Sequence, residues 1–415
     1  MTGSAATGYL DEHIDLADPG FYVDDRPERL WRSLREAPGP VRAGGARDYW
    51  VMTKYRDVET VLRDTVSFTS ESGMHLGSNP EEALRAARAV AGKMLIVSDG
   101  EAHRAIRRAI GGAFTPRRVA RLEQSTLHIA RGLVRSAASG EAVDFVEEVA
   151  VRLPVITLCD LLGVPEQERD YVLALTRTAF GDTKHDPLTS QAAANAELFG
   201  YCDDLIERKR ARPADDVATV LACAMIDGRA IAQDVAVFNA HGIISGGNET
   251  TRHASCTAAM SMYLAPEQWQ ALRNRETTLE YAVDEILRVS SPANHMMRLC
   301  TTDTDVATAK VRAGEFVTLW LGSANRDADA FPDPDRTDFA RRPNRHLAFG
   351  AGAHSCLGAY LARLELRCLI IALLEHVSEA MPTGDPTRLA SSVVRGYTSV
   401  PLRLDPYVER RVALR

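Results

Sequence analysis

The sequence predicts a mainly α fold with small β-sheets, and three observations carry that expectation. Helical periodicity dominates from Glu101 to Leu264, strand-like runs are short and few, and neither an internal repeat nor a low-complexity segment interrupts them. No Pro/Gly/Ser-rich linker or charge run divides the 415 residues, so residues 1–415 are expected to form a single domain.

The elements follow in order. Val41 to Thr53 reads as two short strands about a Gly-rich turn. From Asp57 to Asp64 the period is helical, with Val58, Val61 and Leu62 on one face. Residues 66–93 lack a clean period and carry Ser, Gly and Pro, which predicts a long mobile loop. Residues 101–211 are mostly helical, with breaks near Thr115-Pro116, Val164-Pro165 and His185-Asp186-Pro187. A long helix spans about 230–264 and is stopped by Pro266; another covers about 279–289 and ends before Ser291-Pro292. Phe316 to Trp320 reads as a strand, and a Pro- and Asp-rich meander begins at Phe331. A loop around Cys356, a helix over about 358–377 and a strand pair near 392–404 close the chain.

Composition narrows the function. Hydrophobic residues make up 45% and charged residues 25%, enough for a core that also encloses a cofactor. The net charge of −7 argues against general nucleic-acid binding, which needs a basic footprint. No run approaches the roughly 20 apolar residues of a membrane span. The N-terminus has neither the basic start nor the apolar stretch of a secretory leader. The 7 Cys include no CxxC pair, and an odd count fits a reducing compartment. A cytoplasmic protein without membrane or nucleic-acid partners is expected.

The strongest motif is FGAGAHSCLG, Phe349 to Gly358, followed by a helix. Gly350 and Gly352 permit backbone conformations closed to other residues. Loop amides and the helix dipole would stabilise a thiolate at Cys356. Gly358 would let a flat cofactor lie against the backbone, with Phe349 as an apolar lid beside the sulfur. Two plainer readings are an inert core thiol and a zinc site using His354 and Cys356. The second lacks companion ligands, since zinc takes about four.

This segment resembles the haem-binding signature of the cytochrome P450 family, and the match extends from Pro343 through Glu365. The resemblance implies a triangular single domain, with haem b (iron protoporphyrin IX) between the long central helix and the Cys loop. Cys356 would be the iron ligand. Haem ligation by a Cys thiolate, of which this family is the standard example, pushes electron density through the iron and favours O–O cleavage.

The long helix carries Ser245 to Thr251, SGGNETT. Two adjacent Gly cost on the order of 1 kcal/mol each relative to Ala in a helix, so something should offset them. By resemblance this is the oxygen-activation segment: a local opening at Gly246-Gly247, with Glu249 relaying protons and Thr250 positioning oxygen and water. A polar helix face is the plainer reading.

Glu285 and Arg288 lie three apart on one helical face. On residue types alone they could be a surface ion pair. The resemblance implies a buried structural pair joined by an Arg of the meander, assigned here to Arg336. It also nominates His103, Arg107, Arg298 and His354 as partners of the haem propionates, which need cationic or hydrogen-bonding groups.

Arg104, Arg108, Arg117, Arg118, Arg363 and Arg367 suggest a basic patch that steers an acidic partner. A ferredoxin with its ferredoxin reductase is expected, because no flavin domain is fused. The resemblance places the substrate pocket among residues 66–93, Asn239, Gly242, Ser245, Gly246, Asn294, Val393 and Val394. Asn239, Gly242 and Gly246 share one small, polar helix face. A fairly large small-molecule substrate, free or held on a carrier protein, is expected to place a polar group near Asn239 or Asn294. The expected reaction is regioselective hydroxylation, or a related oxidation, in bacterial secondary metabolite biosynthesis. The alternative is a non-catalytic haem-binding sensor or carrier-protein-recruiting module.

Overall fold

The computed structural model describes residues 8–44, 48–77, 80–180 and 191–407. The expected break at His185 to Pro187 and the turn residues 45–47 lie outside them. Helices dominate, and the longest, Gln233–Leu264, runs 32 residues. It buries Ala236, Ala240, Ile244, Ala254, Cys256, Ala258 and Ala259. A helix apolar on most sides must lie inside the protein. The helix Arg152–Leu162, the ion-pair helix Leu279–Ser290 and the cysteine helix Ala359–His376 pack against it. The cysteine helix also lies on Glu123–Ala137. These elements share the largest apolar core.

A five-stranded sheet sits beside the helices. Its order is Val41–Ala43, Tyr49–Met52, Phe316–Trp320, His295–Cys300 and Phe68–Thr69. Only the pairing of Phe316–Trp320 with Tyr49–Met52 is parallel. Phe316–Trp320 is buried at every position, as a central strand covered on both faces should be. A three-stranded sheet joins Val377–Pro382, Pro401–Pro406 and Ala142–Asp144.

Two expectations need correction. Residues 66–93 are not one loop: Phe68–Thr69 pairs with the His295–Cys300 strand, and Pro80–Val90 is a helix. The helix begins at Pro, continues Glu-Glu and has Ala at four of its eleven positions, a composition whose helix propensity outweighs its weak apolar period. The last strands also differ, being Thr387–Arg388, Tyr397–Ser399 and Pro401–Pro406, with Ser392 to Val394 forming the turn between them. No helix among the described residues is long and apolar enough to cross a membrane.

Candidate functional site

The cysteine loop is held by its own backbone. Gly350 N–H donates to Leu347 O at 2.8 Å, Cys356 N–H to Phe349 O at 2.8 Å, and Ser355 N–H to Gly352 O at 3.1 Å. Gly350 and Gly352 take φ of +65° and +71°, the left-handed region. A Cβ on Gly352 would also lie 2.8 Å from Leu62 O and 3.0 Å from Arg63 Cα, so the loop is pressed onto the backbone of helix Tyr55–Arg63.

Cys356 is exposed by area although protein surrounds it closely on its other sides. Burial pushes its thiol up; the Gly358 backbone hydrogen bond and the charges of Arg107 and Arg363 oppose that rise. A Cβ on Gly358 would stand 4.0 Å from the sulfur. The Phe349 ring carries the Arg363 guanidinium 4.6 Å from its centroid.

The proposed anchors converge beside this loop. Arg107 Nη2 donates to Ser355 O at 2.7 Å. The rings of His103 and His354 are 4.3 Å apart. His354 Nε2 lies 2.7 Å from Asp99 Oδ1 and 3.3 Å from Ser70 Oγ. Burial alone would raise Asp99, but hydrogen bonds from His354, Thr69 and the Ser70 amide bring it down to about 2. His103 is pushed down to about 4 by burial, helped by His354 and Arg107. Arg298 is buried; desolvation lowers it to about 10, with Asp99 opposing. It makes no ion pair among the described residues, and its Nη1 donates to Met297 O at 2.7 Å.

These residues fit an acidic, sulfur-ligated cofactor. His103 Nε2 is buried with no partner, and an orphaned polar atom costs roughly 1–3 kcal/mol. The buried Arg298 guanidinium has no carboxylate paired to it among the described residues, so its charge is undercompensated. A propionate-bearing haem ligated at Cys356 would satisfy both.

On the long helix the two glycines have separate reasons. A Cβ on Gly247 would lie 2.9 Å from Leu158 Cδ2, so close helix packing requires its absence. A Cβ on Gly246 would meet nothing within 4 Å, so that position is open. Thr250 Oγ1 donates to Gly246 O at 3.0 Å. Glu249 is buried, with Oε2 at 2.5 Å from Arg252 Nη2 and 3.5 Å from His253 Nε2.

The buttress differs from expectation in its third member. Arg288 donates twice to Glu285, at 2.8 Å each, and both side chains are fully buried. The second guanidinium on Glu285 is Arg341, at 3.2 Å, not Arg336. Arg336 is exposed and contributes its backbone carbonyl, which accepts from Arg288 at 3.0 Å and Arg341 at 3.1 Å. Asn344 Nδ2 and the Asp338 amide complete the cage around Glu285.

The polar pocket expectation is also corrected. Asn239 spends its amide on the chain: Nδ2 donates to Lys93 O and Val235 O, and Oδ1 accepts from Leu95 N–H. Asn294 Nδ2 donates to Ser392 O at 3.0 Å, and its N–H to Val393 O at 2.9 Å. Both therefore fasten segments together. Asn294 and Val394 wall a cavity of about 140 Å³ shared with Tyr22, Glu28, Thr257 and Arg395. Gly242 packs under Met94, whose Cε would be 3.0 Å from a Cβ there. Ser245 is half-buried and Gly246 exposed.

Five of the six arginines of the basic patch sit in ion pairs. Arg104 and Arg108 share Glu101, Arg118 meets Asp215, Arg363 meets Asp284 and Arg367 meets Glu123. Sequence reasoning missed Asp99, Arg252, His253 and Arg341. Asp99 stood inside the stretch that names His103 and Arg107, and a carboxylate beside two expected cationic groups was a usable signal.

A mostly helical chain that presses a glycine-shaped cysteine loop onto helix Tyr55–Arg63, with cationic groups gathered beside the sulfur, has the build of a thiolate-ligated oxidoreductase. The cytochrome P450 family model matches residues 186–397. Over 398 residues the chain is 32% identical to Cytochrome P450 NovI of Streptomyces niveus, covering 95% of this chain and 97% of the relative. It is 33% identical to a steroid C26-monooxygenase of Rhodococcus jostii, over 93% of this chain and 84% of that one. Its fold matches the crystal structure of P450 OxyD, involved in biosynthesis of vancomycin-type antibiotics, with TM-score 0.88, 31% identity, and coverage of 95% and 100%. The chain belongs to the cytochrome P450 family and is a monooxygenase of that kind, acting with haem, redox partners and a small-molecule substrate.

Proposed function

We propose that residues 1–415 act as one domain that binds haem b through Cys356 and hydroxylates a small molecule regioselectively in bacterial secondary metabolism. The observation that carries this reading is the deficit beside the cysteine loop: an orphaned imidazole at His103 and an unpaired, buried Arg298 next to a thiol shaped for ligation. The haem, when bound, supplies dioxygen activation. His103, Arg107, Arg298 and His354 would hold its propionates, and Asp99 orients His354 through the 2.7 Å contact. Gly358 and Phe349 would shape the space beside the sulfur. Thr250 would place its hydroxyl at the opening beside Gly246, and Glu249 would hand protons toward it. The substrate face would be lined by Gly242, Ser245, Gly246 and the Val393-Val394 turn. The similarity to NovI and OxyD supports the biosynthetic setting.

Electrons are proposed to come from a ferredoxin and its reductase, in the cytoplasm. The paired arginines near the cysteine helix would guide docking weakly, since exposed pairs retain only part of their field. The test is spectroscopic. The reduced protein with carbon monoxide should give the strongly red-shifted Soret band of a thiolate ligand, and C356A should lose it. An unchanged band in C356A, or no porphyrin in well-folded protein, overturns the proposal. Ferredoxin-dependent reduction that ignores ionic strength overturns the docking claim alone.

A further inference from the structure

The cavity of about 140 Å³ that Asn294 and Val394 wall takes no described residue from the cysteine loop. One side of it is the long helix. Thr257, Met260, Ser261 and Leu264 recur at i, i+3, i+4 and i+7, so they share one face. That face starts seven residues beyond Thr250, about 10 Å along the axis. Helix Arg26–Glu36 supplies Glu28 and Trp31, and the C-terminal hairpin region supplies Arg388, Arg395 and Tyr397. Leu264 is 66% exposed, so the cavity reaches solvent.

The neutral donors around it are already committed. Tyr22 Oη donates to Leu16 O, Thr257 Oγ1 to His253 O, Ser261 Oγ to Ala258 O and Ser290 Oγ to Leu287 O. Asn294 Nδ2 is spent on Ser392 O. What remains is charge. Among the described residues the walls carry three guanidiniums, Arg326, Arg388 and Arg395, against one carboxylate, Glu28. Arg388 and Arg395 both donate to the same oxygen, Glu28 Oε1, at 2.9 and 2.8 Å. Glu28 Oε2 is buried and has no partner among the described residues. Burial alone would raise this acid, but Arg395 and Arg388 bring it down to about 2, so it is an ionised acceptor at neutral pH. Arg326 is lowered to about 9 by burial and then by the Arg395 and Arg288 charges, and its contact with Asp335 is long, at 3.8 Å. The site is therefore short of negative charge and holds one unfilled acceptor.

We propose that this cavity binds a compact aromatic acid that carries a hydroxyl donor. The three arginines meet its carboxylate, Glu28 Oε2 accepts from its hydroxyl, and Tyr22, Trp31 and Met260 flank its ring. A dry cavity of about 150 Å³ holds a benzene ring, so the size fits. The ligand also stiffens the neighbouring turn. Arg395 N–H donates to Pro292 O at 2.8 Å, and Val394 pairs with Ala293. An anion held by Arg395 braces that junction from the cavity side. The reading above puts Val393 and Val394 of the same turn on the substrate face, and only this consequence rests on that reading.

The test is calorimetric titration of the haem-loaded full chain with para-hydroxybenzoate, which should bind with a Kd below about 1 mM. Benzoate lacks the donor for Glu28 and phenol lacks the charge. Each should bind about tenfold more weakly or worse, the effect of one lost charged hydrogen bond. R388Q should weaken para-hydroxybenzoate by about the same factor, and R388K should recover most of it. L264E adds a repelling charge at an exposed position and should act like R388Q with an unchanged melting temperature. Hydrogen exchange should show new protection at residues 26–31 and 388–397 on binding to wild type, and none in R388Q. No measurable binding, phenol binding as tightly as para-hydroxybenzoate, or protection confined to residues 242–250 and the cysteine loop overturns the site. Neither measurement reads the haem, so a missing carbon monoxide band would count against the haem reading alone.

Discussion

Replacing Arg341 with alanine should destabilise the protein far more than the same change at Arg336, although both arginines lie in the meander. The Arg341 side chain makes five contacts. Nε reaches both Glu285 oxygens at 3.2 Å, Nη1 donates to Pro332 O at 2.6 Å, and Nη2 donates to Asp333 O and Arg336 O at 3.1 Å. Glu285 is fully buried, so removing one of its two guanidiniums leaves negative charge undercompensated in a low-dielectric site. Breaking a buried pair in this way costs about 3–5 kcal/mol. The unfolding entropy near the midpoint, about 2.1 cal/mol/K per residue, makes that a fall of about 3–6 °C for a chain of this length. R336A removes an exposed side chain and keeps the carbonyl that both arginines use, so its effect should stay within about 0.5 kcal/mol. Differential scanning calorimetry of the haem-loaded variants measures both. A melting temperature for R341A equal to wild type, or an R336A loss as large as that of R341A, would refute the reasoning.

Further outcomes follow from the site. G246A should raise the melting temperature, because Ala is about 1 kcal/mol better than Gly in a helix and its methyl meets nothing. Oxygen turnover should nonetheless fall, because that methyl would enter the opening beside Thr250. G247A should show no such gain, since the methyl presses on Leu158 and overpacking costs about 1–3 kcal/mol. In G352A the added carbon would strike the Leu62 carbonyl in a left-handed conformation, and haem retention on gel filtration should drop sharply. Asp99 is held at about 2 against an ordinary 3.8, so its contribution is complete above pH 3.8 and is lost as pH falls toward 2. Just under two pKa units correspond to about 2 kcal/mol, which D99N should lose at neutral pH while flattening the acid limb of the stability curve.

What the sequence made legible was whatever depends on residue type and spacing along one element. The 32-residue helix, the cysteine helix and the central strand Phe316–Trp320 were readable because each is a long or compact apolar run bounded by breakers such as Pro266 or by turn residues. The glycines of the cysteine loop were readable because a positive φ selects glycine whatever surrounds it. The misreadings share another origin. Arg336 and Arg341 are both arginines of one irregular segment, and spacing does not distinguish one that donates through its side chain from one that accepts through its carbonyl. Asn239 presents the same difficulty in reverse. Its place on the helix face was legible, but its amide is consumed by Lys93 O and the Leu95 N–H, more than 140 positions away in the chain. Hydrogen-bond capacity is spent in three dimensions, and a polar side chain offers recognition only with what remains. Specificity for the substrate should therefore come from shape around Gly242, Ser245 and Gly246 rather than from either asparagine. N239A should then weaken the contact between the long helix and residues 93–95, lowering stability by the roughly 1–3 kcal/mol of a disrupted buried amide, without changing which substrates bind. An N239A protein with wild-type melting and an altered set of substrate-induced Soret shifts would show instead that the amide faces the substrate.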